Sequence, residues 1–396
     1  MTAIDHITFL AREIGPRGST QPEEALAAEY AAEVLASFGL KPEVSSFMSA
    51  KSNWHPYTLF AGIMLISFVS FLVGSDVGNL IALILAAIGL VSVLLELSFR
   101  SNILRWILPK AESQNVSARV HAREIARRKV VLIGHLDTHR TPIAFSTDAW
   151  LKLFGRLIPL GLVASVALIA LFALGFFNDG DLWRALAWLP AVILAGVFAV
   201  TLQADFTPYT HGANDNATGA GIVLSIAEEL ASKPLRETEV WFVLTGCEEV
   251  GCYGAEAFAK SHERQISGAM WLTIDTVGGK DTSLAYLTKE TFLLTTHSDL
   301  ELLGLADEVA SELPELRAER HQFAGAFTEG AVGGKHRLPV LTLIAVRPDG
   351  SVPNWHRSTD TLERIDELAV ARCETFLREL LHRIDSLWLE GQKSRS

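Results

Sequence analysis

The chain has 396 residues, a formal net charge of −11, 49% hydrophobic residues and three cysteines. That hydrophobic content excludes intrinsic disorder, and so few cysteines exclude a disulfide scaffold. The acidic balance argues against nucleic acid as a partner, because phosphate contacts need a basic surface.

Residues 1–50 read as two helices. Glu23–Phe38 has apolar positions at helical spacing, with Pro22 before it and Gly39 after it. Four stretches then stand out because they carry no Asp, Glu, Lys or Arg: residues 56–75, 77–95, 157–178 and 185–204. Each is close to the ~20 residues a helix needs to cross ~30 Å of hydrocarbon. Short links at Asp76 and at Asp179–Asp181 make each pair a hairpin. Four such runs, paired in this way, read as four membrane-spanning helices. The flanks Phe99–Lys110 and Asp148–Arg156 mix Arg and Lys with Trp, Ile and Leu, as interfacial helices do. The outer flanks hold Lys51, Arg100, Arg105, Lys110, Lys152 and Arg156, whereas the turns hold Arg184 alone. Lys and Arg favour the cytoplasmic side. The first residues lack the apolar run of a signal peptide. The soluble part is therefore expected in the cytoplasm, where unpaired cysteines are also expected.

Elsewhere strands and helices alternate. Arg128–His135 is a buried-strand signal, as are Glu239–Thr245, Ala269–Asp275 and Pro339–Val346. Asn216–Lys233, Tyr253–His262 and Thr361–Leu387 read as helices, and the tail Gly391–Ser396 as frayed. Continuous apolar strands imply an α/β fold, with a mixed, mostly parallel sheet covered by helices on both faces.

Ligand-type residues recur just past these strands, where an open α/β sheet places its ligands. In order they are His135-Leu-Asp137, then His211-Gly-Ala-Asn-Asp215-Asn-Ala-Thr-Gly219 opening a helix, then Glu248-Glu249-Val-Gly251, then Asp275, then His356-Arg-Ser-Thr-Asp360-Thr361. Each alone is a weak signal, since a His-x-Asp or a Glu-Glu pair is usually a solvated or satisfied surface feature. Five in order, each at a strand end or a helix start, are hard to obtain by chance. The order resembles the zinc exopeptidases of metallopeptidase family 28, the leucyl aminopeptidase and aminopeptidase Y type. The opening HITFLAREIGPRGSTQPEEALAAEYAAEVLASFGL is also similar to that family's start.

The resemblance implies a zinc-exopeptidase, phosphorylase/hydrolase-like fold and two zinc ions. His135 and Asp275 would hold one ion, Glu249 and His356 the other, and Asp215 would bridge them. It also implies a cis peptide after Asp215. Asp137, two residues beyond His135 on the same strand face, would accept the other imidazole N–H and fix the ring. Glu248 remains as general base, taking a proton from the attacking water and handing it to the leaving amine. His139 and His211 flank the motif and read as orienting or solvent-exposed groups, and His139 lies outside the family pattern. Cys247 and Cys252 read as two packed thiols. His297, His321 and His336 compete with His356 as the last ligand, but His356 alone follows the last strand in the family-like pattern.

The departures from the family are the hairpins. One catalytic domain would comprise residues 1–55, 111–147 and 205–396. Hairpin one with its interfacial helix would take 56–110, and an interfacial helix with hairpin two 148–204. Two spans per insertion return the chain to the same side, so the metal site is not split by the bilayer. The leading reading is a membrane-anchored dinuclear zinc aminopeptidase with a peptide substrate and the lipid bilayer as partner. An amidohydrolase of small N-acylated amino acids and an inactive membrane interaction module remain as alternatives.

Overall fold

The computed structural model describes every residue except Phe99, Ser101, Asp179, Gly180 and 394–396. The centre of the hairpin-two turn and the end of the tail thus lie outside the described residues. The chain divides into two compact units, one of residues 1–51, 111–139 and 209–396, the other of residues 52–110 and 140–208.

The first unit begins with α1 (Ala3–Thr8), continued by a wider turn over Phe9–Ile14, and α2 (Pro22–Ser37). It also holds β1 (Glu43–Ala50), β2 (Lys110–Val120, entered from the other unit) and β3 (Arg128–His135). After the second insertion come α8 (Thr218–Ser232), β4 (Thr238–Thr245), α9 (Tyr253–Ser261) and β5 (Met270–Ile274). The last third adds β6 (Ser283–Thr291), β7 (Thr295–His297), α10 (Leu300–Glu312), β8 (Ala318–Ala324), α11 (Glu329–Lys335), β9 (Val340–Val346) and α12 (Glu367–Lys393). The nine strands form one sheet in the order β1-β2-β4-β3-β5-β9-β6-β7, with β8 paired to β6.

The four strands expected as continuous apolar runs are its parallel centre: β4 pairs β3, β3 pairs β5 and β5 pairs β9, all parallel. Alternate residues of these strands feed two cores. Leu132, Phe242 and Leu272 face α1, α2, α8, α10 and α12. Ile133, Val243 and Trp271 face α9 and α11. A sheet buried on both faces needs this doubly apolar pattern. β1, β2, β6, β7 and β8 are additional to the sequence reading. β1 and β8 are largely exposed and polar, so they carry no continuous apolar run. Pairing in the folded sheet defines them. Of the tail expected to fray, residues 391–393 continue α12 to Lys393, and 394–396 lie outside the described residues.

The second unit holds α3 (His55–Leu72), α4 (Asp76–Glu96), the single-turn α5 (Ile103–Ile107), α6 (Asp148–Phe177) and α7 (Asp181–Ala204). The four long helices are long and apolar enough to cross a membrane. Their buried sides carry small residues and aromatic contacts. Gly175 lies where a Cβ would meet Phe71 Cε2 at 2.5 Å, and Phe71 and Phe172 pack with centroids 4.8 Å apart. Their other sides expose Val69, Val77, Leu189 and Val192. A water-facing helix seldom leaves so much apolar surface uncovered. The Asp148–Arg156 stretch is continuous with the apolar run in one 30-residue helix, not a separate interfacial helix. Residues 140–143 return against 203–208. Thr141 N donates to Pro208 O (2.9 Å), and Ile143 N donates to Gln203 Oε1 (3.2 Å).

Candidate metal centre

Because β3, β4, β5 and β9 are parallel, their C-terminal ends share one edge of the sheet. His135 is the last residue of β3, Glu248 and Glu249 follow β4, Asp275 follows β5, and His356 lies in the loop after β9. Asp215 arrives just before α8, and the Asp215–Asn216 peptide is cis. These six residues and Asp137 are all buried.

Asp215 stands between the two imidazoles. Its Oδ1 is 3.3 Å from His135 Nε2 and its Oδ2 is 3.3 Å from His356 Nε2. Asp275 Oδ1 is 3.8 Å from His135 Nε2, and Glu249 Oε2 is 3.2 Å from His356 Nε2. The donors thus fall into two groups, His135 with Asp215 and Asp275, and Glu249 and His356 with His139, each with its donor atoms within 4.8 Å of one another.

This set fits a zinc ion. Imidazole nitrogen and carboxylate oxygen are zinc donors. His135 Nε2, Asp275 Oδ1 and Glu249 Oε1 are buried without a hydrogen-bond partner. Buried polar atoms are rarely left so, and a cation would satisfy all three. The charges point the same way. Burial, reinforced by Asp215, pushes Glu249 up to about 8. Burial likewise raises Asp275 and holds Glu248 well above the usual carboxylate range. Burial alone would lower the imidazoles, yet the acids around them win: His135 is held well above its ordinary value and His356 up to about 9. So many acids in one buried place are mutually repulsive, and a dication removes that repulsion.

The neighbouring side chains hold the donors in place. Asp137 accepts from Glu248 N (3.0 Å), Glu249 N (3.1 Å) and Ser19 Oγ (2.6 Å). His135 Nδ1 lies 3.1 Å from the Asp137 carbonyl oxygen and 3.4 Å from its carboxylate. The ring is therefore steadied mainly by the backbone of Asp137, while the carboxylate fixes the Glu248–Glu249 turn. Asp360, within the His356-x-x-x-Asp360-Thr361 motif, accepts from Asn214 N (2.7 Å) and Asp215 N (3.0 Å). Asn216 ties the loop to β5 through Ile274 O (2.9 Å) and Thr276 N (3.2 Å). Gly219 admits no side chain, since a Cβ there would meet Ile274 O at 2.2 Å.

Two further residues shape the centre without a motif of their own. Arg17 is fully buried and donates to five backbone carbonyls, those of Leu10, Gly15, Leu136, His211 and Gly212. Glu24 accepts from Thr20 N, Cys247 N and Ser113 Oγ, and burial pushes it up to about 7. Both lie in the family-like opening stretch, which is the one sequence signal that covers them. Cys247 and Cys252 are free, and each donates to a different carboxylate: Cys247 to Glu24 at 3.4 Å, Cys252 to Glu248 Oε1 at 3.2 Å. His211 is exposed, and His336 pairs with Glu256 at 3.1 Å. His297 lies in β7 and His321 in β8.

Residues 200–381 match the family model described as Peptidase family M28. Aminopeptidase YwaD of Bacillus subtilis (strain 168) is 37% identical over 59 residues, a match spanning 15% of this chain and 13% of that protein's length. Among solved structures, the glutaminyl cyclase of Tannerella forsythia superposes with a TM-score of 0.59 at 16% identity, covering 96% of this chain and 97% of that one. The aminopeptidase of Aneurinibacillus sp. strain AM-1 gives 0.58 at 14% identity, covering 96% and 92%. A zinc aminopeptidase of Bacillus subtilis gives 0.57 at 12% identity, covering 96% and 94%. Residues 200–381 thus resemble peptidase family M28, and the chain shares the fold of these aminopeptidases and of the glutaminyl cyclase.

Proposed function

We propose that the protein is a membrane-anchored dinuclear zinc aminopeptidase that removes N-terminal residues from peptides. The observation that carries this is Asp215, whose two oxygens face two different histidines at 3.3 Å each. Two-metal hydrolases place their ions ~3.5–4 Å apart, and a shared carboxylate suits that spacing. His135 and Asp275 would hold one ion and Glu249 and His356 the other. Zinc, when bound, supplies Lewis acidity that activates water and polarises the scissile carbonyl. Glu248 takes the proton of the attacking water and returns it to the leaving amine. Its raised proton affinity, caused chiefly by burial, suits a group that must hold a proton between those two steps.

The test is a substrate panel with full-length, detergent-solubilised protein. Free-amino peptides should lose their first residue, and N-acetylated copies should resist. Hydrolysis of N-acylated amino acids alone would turn the reading to a deacylase. A peptide beginning with glutamine belongs in the panel, because loss of ammonia without chain cleavage would indicate cyclisation.

The same proposal places α3, α4, α6 and α7 across a bilayer, with the catalytic unit in the cytoplasm. The Lys and Arg residues concentrated on the outer flanks of the hairpins support that side. In a cysteine-free background, single cysteines at Ser75 and Asp179 should react with a membrane-impermeant thiol reagent on intact cells, and one at Glu315 should not. The opposite labelling pattern would invert the protein.

A further inference from the structure

Past His135 and Asp137, the chain crosses His139 before leaving for the second apolar pair at Arg140. The His139 and His356 rings are stacked, with centroids 3.6 Å apart and planes 14° from parallel. Both residues are buried. We propose that His139 is a positioning residue for the second metal position: its ring is the plate that holds His356 with Nε2 aimed at Asp215 and Glu249.

His356 needs such a plate. It lies outside regular structure, on a left-handed backbone (φ 53°), two residues after another left-handed residue, Asn354 (φ 60°). No strand or helix sets its ring direction. The other metal-facing imidazole, His135, ends a strand paired on both sides, with a ring steadied by the Asp137 carbonyl. The plate itself is well fixed. His139 O accepts from Thr210 N (2.9 Å), where the chain returns, and the preceding Thr138 exchanges two 3.0 Å hydrogen bonds with the backbone of Arg17.

The other role open to His139 is as a donor itself, since its ring nitrogen belongs to the group with Glu249 and His356. Stacking argues against it. An imidazole lone pair lies in the ring plane, and zinc sits ~2.0–2.1 Å from nitrogen. Two nearly parallel rings 3.6 Å apart cannot both contain one ion in their planes. A stacked neighbour that steadies a metal-bound imidazole acts as other orienting partners of ligands do.

This inference rests on the two-zinc reading above, and its test reads metal binding, not turnover. Full-length, chelator-stripped protein in detergent would be titrated with zinc, and with cobalt followed by its visible absorption. Two variants separate plate from donor: His139→Phe keeps a flat ring without nitrogen, and His139→Ala removes both. The Phe variant should bind the second ion close to wild type, with an unchanged cobalt spectrum. The Ala variant should weaken the second ion ~10–100-fold and leave the first unchanged, the range for loss of a ligand-orienting partner. Should the Ala chain not fold, by far-ultraviolet circular dichroism, His139→Leu fills the volume without a flat face and should show the same loss. If Phe loses the ion as badly as Ala, His139 is a donor. If neither variant differs from wild type, it is a bystander, and both results overturn the proposal. A wild-type chain that takes up no zinc overturns the reading beneath it as well.

Discussion

Glu248→Gln lowers peptide hydrolysis by at least ~10²-fold while the protein keeps its zinc, the lower bound being a typical general-base contribution. The structure gives reasons for both halves of this result. Glu248 is held by its backbone, because its N–H donates to Asp137 Oδ1 at 3.0 Å and its carbonyl accepts from Gly251 N and Cys252 N at 2.8 Å. The amide of glutamine therefore occupies the carboxylate's place. Cys252 Sγ, 3.2 Å from Glu248 Oε1, can still donate to the amide oxygen. Shape and polarity persist, and the proton acceptor is gone. The check pairs turnover with zinc content by mass spectrometry. Glu249→Gln, whose carboxylate lies 3.2 Å from His356 Nε2, serves as the contrast and should lose the second ion. Equal zinc loss in both variants would mean that the two glutamates have been assigned the wrong way round.

Asp215→Asn is expected to be more damaging, removing activity and reducing zinc from about two ions per chain to below about one. Asparagine keeps the size of the side chain but turns one oxygen into an NH₂ group. Whichever way that amide faces, it presents N–H donors to one of two positions that need an electron pair. It also removes the negative charge that His135 and His356 hold ionised, against a burial that would otherwise raise its pKa. The fold should survive, because the loop is placed by the backbone N–H groups of Asn214 and Asp215 donating to the Asp360 carboxylate, not by the Asp215 side chain. Equilibrium dialysis followed by metal analysis, with circular dichroism as the folding control, checks this. Retention of both ions by Asp215→Asn would remove it from the bridging position.

The order of the chemistry is legible in the amino-acid chain before it folds. His135, Asp215, Glu248, Glu249, Asp275 and His356 could be picked out because each follows a run of apolar strand residues or opens a helix, and that local pattern survives without three-dimensional information. The same holds for the four central strands, whose burial on both faces leaves a continuous apolar run, and for the four long helices, whose charge-free runs are themselves local. Features with no local pattern arise only on folding. β1 and β8 are strands because a neighbour pairs with them; their polar residues announce nothing. Arg17 lies in a stretch rich in glycine and turn residues, and its role exists only once carbonyls of its own stretch and of two distant segments converge on its guanidinium. Asp137 shows both: its place two residues past His135 suggested a partner for the ring, and its carboxylate lies 3.4 Å from His135 Nδ1, but its hydrogen bonds with Glu248 N, Glu249 N and Ser19 had no local sign. The stacking of His139 on His356 joins residues more than two hundred positions apart. Spacing within a strand or helix is written into the sequence because neighbours share one backbone. Contact between loops is written nowhere locally, because it depends on how the whole sheet brings their ends together.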